Sequence, residues 1–113
     1  MANFTAALNV IGTGFHVTLC FSECKKSSKV RTSTETGKIK VVSIEYWEHC
    51  DLTVAIVESE FCDKRADYWA ENGYGYDLGY KPHFTITKGN QVEAVKTLIG
   101  AEFDVGDEYV RIF

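Results

Sequence analysis

One short phrase occurs twice in this chain, and it limits what the chain can become. Near the start it reads Gly14-Phe15-His16-Val17-Thr18-Leu19, and later Lys81-Pro82-His83-Phe84-Thr85-Ile86. Each copy sets a histidine two residues before a threonine, inside an apolar and β-branched run, which is strand composition. In a strand, residues two apart point to one face. The spacing therefore predicts His16, Thr18 and Cys20 on one face, with Phe15, Val17, Leu19 and Phe21 on the other. Likewise His83, Thr85 and Thr87 oppose Phe84 and Ile86. The apolar faces require a core. The two His/Thr faces, brought together, would make a site.

The rest of the chain supplies partners for these strands. Phe4 to Ile11 alternates apolar and polar residues and predicts a first strand, and Gly12-Thr13-Gly14 a turn. Residues 23–37 lack periodicity and are expected to form a loop. Ile39 to Glu48 and Leu52 to Glu58 predict two strands joined by a tight connection at His49-Cys50-Asp51. Phe61 to Asn72 changes period: Cys62, Ala66, Trp69 and Ala70 recur at helical spacing, and Asn72-Gly73 supplies a stop. Tyr74 to Tyr80 is irregular. Pro82 to Lys88 is the second motif strand, with proline tolerated at its first residue. Asn90, with Glu93 three residues on, predicts the N-cap of a second helix. Val92, Val95, Leu98 and Ile99 would be its buried stripe, and Gly100 its end. Glu102 to Val105 and Glu108 to Phe113 read as a closing hairpin around Gly106-Asp107. The expected class is α+β: an antiparallel or mixed sheet with two helices on its outer side, in a single domain over 1–113.

Composition removes several classes of function. At 113 residues, with 45% hydrophobic and 25% charged content, the chain has the profile of one ordinary globular domain. No apolar stretch approaches the roughly 20 residues of a membrane helix, so no membrane is expected as a partner. The N-terminus lacks the basic and apolar regions of a signal peptide, so cytoplasmic residence is the expectation. Cys20, Cys24, Cys50 and Cys62 are then expected to be reduced, with Cys20 and Cys62 as small core residues. Their spacing matches no zinc pattern. The net charge of −4 argues against binding long nucleic acid. Half of the 12 basic residues nevertheless fall within residues 25–40: Lys25, Lys26, Lys29, Arg31, Lys38 and Lys40. Such an arm is either a solvated loop or a clamp on a small polyanion.

Two histidines facing one another can take a proton and give one in a single displacement. The reaction that uses such a pair is phosphodiester cleavage without a metal. One imidazole removes the proton of the attacking hydroxyl, and the other protonates the leaving oxygen. Threonine hydroxyls can bond the non-bridging oxygens, where charge gathers in the transition state. His49 sits in a predicted turn without a matching threonine and reads as structural. Tyr74, Tyr76 and Tyr80 precede the second motif, where a ring could stack on a nucleobase or pack the domain edge. Trp47 and Trp69 read as core.

His16-Val17-Thr18-Leu19 and His83-Phe84-Thr85-Ile86 resemble the paired motifs of the 2H phosphoesterase superfamily. The stretch Tyr76-Asp77-Leu78-Gly79-Tyr80-Lys81-Pro82-His83-Phe84-Thr85 is similar to its phage anti-CBASS members, which cut the cyclic oligonucleotide signals of bacterial antiviral defence. The resemblance covers roughly residues 15–89. It implies a bilobal α+β fold with a central cleft and the motif strands side by side. It implies His16, Thr18, His83 and Thr85 as catalytic residues, and no metal or other cofactor. Family members carry a helix between the first strand and the first motif. This chain has Gly12-Thr13-Gly14 there, so it reads as a trimmed version.

The resulting expectation is a two-histidine phosphodiesterase for a small nucleotide, either a cyclic oligonucleotide or an RNA end, with Tyr76, Tyr80, Lys25 and Lys26 as substrate contacts. Action in the host cytoplasm follows if the chain is phage-encoded, as a monomer or small homo-oligomer. Three rivals remain open: an enzyme for 2′,3′-cyclic phosphates or 2′–5′ RNA linkages, a sponge that binds the nucleotide uncut, and a structural protein with incidental motifs.

Overall fold

The computed structural model describes residues 3–23, 30–74 and 80–112. Among them lie β1 (Asn3–Val10), β2 (His16–Glu23), β3 (Gly37–Trp47), β4 (Leu52–Glu58), α1 (Glu60–Glu71), β5 (His83–Lys88), α2 (Val92–Val95) and β6 (Glu102–Ile112). A single 3-10 turn, Lys96–Leu98, follows α2. The strands form one antiparallel sheet in the order β2-β1-β6-β3-β4-β5. The order is matched about its middle. Outward from the β6–β3 pair, each side meets one inner strand and then one motif strand: β1 then β2, and β4 then β5. The two His/Thr strands are thus the two edges of the sheet.

The match extends to irregularities. In β2, Cys20 pairs with Ala6 and Thr18 with Ala7, leaving Leu19 as an extra residue. In β5, Thr87 pairs with Thr53 and Thr85 with Val54, leaving Ile86 extra. Each motif strand therefore carries a β-bulge one residue past its threonine. A bulge inserts one residue and reverses which side the following residues face. This corrects the expected face of Cys20 and Phe21. Val17, Leu19 and Cys20 are all buried, while Phe21 is 50% exposed. Strict alternation holds only as far as Thr18.

Phe4, Ala6, Leu8 and Val10 alternate inward along β1 as the sequence predicts, and join Val17, Ile39, Val41, Val105 and Phe84 in one core. Helix α1 covers it with Cys62, Ala66 and Trp69, and Trp69 meets Phe4 at 5.5 Å. Ala70, expected on this stripe, is exposed. Ser59 starts the helix: its Oγ accepts from the Cys62 N–H and donates to the Lys38 carbonyl. Gly73, at φ 92°, ends it.

Two further expectations are corrected. Residues 102–112 form one continuous strand, not a hairpin, because 102–105 pair with β3 while 105–112 pair with β1. Asp107, at φ 46°, sits at a register shift within that strand. A Gly-Asp pair suits a bulge as well as a turn, and local sequence does not separate the two. The second helix is a single turn whose N-cap position is Gln91, without a side-chain cap bond, while Asn90, expected at that position, lies one residue earlier and accepts from the Val92 N–H at 3.4 Å. Val92, Val95 and Leu98 are half-buried, and Ile99 is 51% exposed.

The segment leading into β3 is pinned by a buried ion pair. Arg65 on α1 makes two hydrogen bonds of 2.7 Å to Glu108 on β6, whose side chain is fully buried. Glu108 also accepts from the Ser33 N–H, while Arg65 donates to the Arg31 carbonyl and lies over the Tyr68 ring. The Glu108 carboxylate holds the Arg65 guanidinium pKa above its ordinary value. Removing one partner of such a pair strands a buried charge. Arg65→Ala should cost about 3–5 kcal/mol in chemical denaturation. A loss under about 1 kcal/mol would show that the pair does not anchor the segment.

Candidate active site

The two edge strands do not stay apart. β2 and β5, the two edges of the sheet, are in contact with one another. The Phe15 and Phe84 rings stack at 5.1 Å and 18°. The Tyr80 hydroxyl donates to the Thr18 carbonyl at 2.9 Å. Phe15 immediately precedes His16 and Phe84 immediately follows His83, so these contacts bring the two motifs to one place on the molecule. Phe84 is buried beneath, and His16 is exposed while His83 is half-buried. Thr18 and Thr85 are both half-buried on their strands.

Each histidine has an aromatic neighbour from the central β6–β3 pair. His16 pairs in register with Asn9, and its ring meets Tyr109 of β6 edge-on at 6.5 Å. His83 lies against Trp47 of β3 at 4.6 Å. The His83 Nδ1 is 2.9 Å from the Lys81 carbonyl. A carbonyl only accepts, so the bond requires the proton on Nδ1 and leaves Nε2 as the free nitrogen of the neutral ring. That nitrogen can accept a proton, or return one once the ring is charged.

The remaining sequence candidates divide. Tyr80 is half-buried and spends its hydroxyl bond on β2, a bridge between the motif strands. Tyr74 is 2% exposed and stacked on Phe4 at 4.1 Å, so its ring belongs to the core. Tyr76, Lys25 and Lys26 lie outside the described residues. His49 is exposed in the turn, as expected, with its ring stacked on Trp47 at 6.0 Å. Trp47, expected in the core, is half-buried beside His83 instead. Tyr109, Glu45 and Lys81 were not singled out by sequence reasoning. Alternation along β3 places Glu45 and Trp47 on one face, but nothing local says that the face adjoins His83.

Cys20 and Cys62 are core residues. Burial pushes both thiols up to about 11, so neither is a nucleophile at neutral pH. A cavity of about 640 Å³ opens beside the entry to β5, between Lys38, Lys40, Tyr80 and Lys81 on one hand and Glu58 and Asp63 on the other. Its lining is of mixed charge and contains neither motif histidine.

Comparison with protein families finds one model, described as "Anti-CBASS protein Acb1", that matches residues 3–111. No curated protein matches the chain.

Two measurements check this geometry. Tyr80→Phe removes only the hydroxyl and should cost about 0.5–1.5 kcal/mol of stability. An unchanged stability would mean that the Thr18 carbonyl is satisfied without it. Thiol labelling of the native protein at pH 8, mapped by mass spectrometry, should modify exposed Cys50 and spare Cys20 and Cys62.

Proposed function

The chain belongs to the Acb1 family of anti-CBASS proteins, and on that premise we propose that it is a 2H-type phosphodiesterase cutting a small, cyclic oligonucleotide signal without a metal. The role is phage counter-defence against CBASS immunity, exerted in the cytoplasm of the infected cell. No described helix is long and apolar enough to cross a membrane. The observation that carries the activity is the pairing itself. Two His-x-Thr strands, each bulged one residue past its threonine, sit on sheet edges held together by the Phe15–Phe84 stack.

His16 and His83 divide the base and acid roles. For a 3′–5′ linkage the neighbouring 2′-hydroxyl is the nucleophile, already placed within the substrate. One imidazole takes the hydroxyl proton as the bond from O2′ to phosphorus forms. The bond from phosphorus to O5′ breaks, and the second imidazole protonates O5′. The ring opens and leaves a 2′,3′-cyclic phosphate. Thr18 and Thr85 donate to the non-bridging oxygens as negative charge collects there. Tyr80, Tyr76, Lys25 and Lys26 are the proposed substrate contacts.

The test is chromatography of cyclic dinucleotide, cyclic trinucleotide and 2′–5′ oligonucleotide incubated with nuclease-free protein in chelator. Turnover should follow a bell-shaped pH dependence. His16→Ala and His83→Ala should each lose about 10²–10⁴-fold in kcat with the fold intact by circular dichroism. Full activity in His83→Ala would remove the mechanism. Intact ligand recovered from denatured wild-type complex would make the protein a sponge instead.

A further inference from the structure

The surroundings of His83 form a closed circuit. Glu45 Oε1 accepts from Trp47 Nε1 at 3.1 Å. The Trp47 ring lies 4.6 Å from the His83 ring. His83 Nδ1 bonds the Lys81 carbonyl at 2.9 Å. Lys81 Nζ returns to Glu45 Oε2 at 3.4 Å. We infer that Glu45 and Trp47 are positioning residues for His83, which with the Lys81 carbonyl hold its imidazole as the Nδ1–H tautomer and make Nε2 the nitrogen that exchanges protons with the substrate. The rate consequence rests on the phosphodiesterase reading. The tautomer does not.

Each link has a reason to be stiff. Glu45 and Trp47 are two apart on β3, so they share a face without bending the strand. A carboxylate acceptor gives the indole N–H a charge-assisted bond, which fixes the plane of the ring. The Trp47 bond lowers the Glu45 carboxyl pKa from its ordinary value, as a bond to the carboxylate form must. His49 stacks on Trp47 at 6.0 Å, which further limits the indole's swing. On the other side, Lys81 precedes Pro82, and the proline ring confines Lys81 to extended backbone. The Val57 N–H then ties the Pro82 carbonyl to β4 at 3.1 Å. The carbonyl that accepts from His83 Nδ1–H is therefore anchored through Pro82. The links are unequal. The Lys81–Glu45 ion pair is largely exposed and contributes little.

A misplaced imidazole costs turnover more than binding, which separates positioning from ligand contact. Glu45→Ala should lower kcat about 10–100-fold with KM unchanged. Glu45→Gln keeps an acceptor for the indole and should recover most of that loss. Nitrogen-15 NMR of the histidine side chains should report a single Nδ1–H tautomer for neutral His83 in the wild type and a mixture in Glu45→Ala. An unchanged tautomer in Glu45→Ala overturns the inference whatever the rate does. So does a rise in KM alone, which would make Glu45 a ligand contact. If the wild type cuts no nucleotide, the phosphodiesterase reading fails, while the NMR comparison still decides the role of Glu45 and Trp47.

Discussion

Everything at the site depends on two sheet edges meeting. β2 and β5 are five strand spacings apart along the ladder, and at about 4.8 Å per spacing a flat sheet would separate them by roughly 24 Å. The Phe15–Phe84 stack and the Tyr80–Thr18 bond hold them within side-chain reach instead. The sheet must therefore curl. Strand twist accumulates by about 20–25° per neighbour, and bulges increase it locally. Register shifts occur in β1–β2, β1–β6, β3–β4 and β4–β5, so the curl is built from several small deviations.

The twin bulges serve a second purpose. A motif strand has to present His and Thr on one face, yet feed apolar residues to the core from both sides of the threonine. Perfect alternation cannot place Val17, Leu19 and Cys20 all inward. One extra residue at Leu19 does so, while Phe21 turns outward. The same device at Ile86 in β5 frees Thr85 and Thr87 from a common face. Two strands distant in sequence thus solve one packing problem the same way, and the matched strand order around β6–β3 gives both solutions equivalent neighbours.

Away from the site, an aromatic cluster and a buried ion pair lie between α1 and the core face of the sheet. The Trp69, Phe4 and Tyr74 rings pack there, and the Arg65–Glu108 pair fastens the segment that enters β3. The polar residues near His83 are arranged differently. Glu45 and Lys81 are exposed enough that their ion pair adds little energy.

Local pattern carried a good deal of this protein. The strand expected over Phe4 to Ile11, the helix expected over Phe61 to Asn72 with its buried Cys62, Ala66 and Trp69, and the core roles of Cys20 and Cys62 were all legible to within a residue at the ends, because period and composition are short-range properties. So was the repeated His-x-Thr phrase. Tertiary structure decided what pairing and twist decide. Residues 102–112 became one strand because both halves found partners. Trp47 came to lie against His83 because β3, β4 and β5 are adjacent. Which residue a bulge leaves over depends on strands far away in the chain, and so does the neighbour each imidazole receives. No window of sequence contains that information, because the energy that selects it is the burial shared between segments.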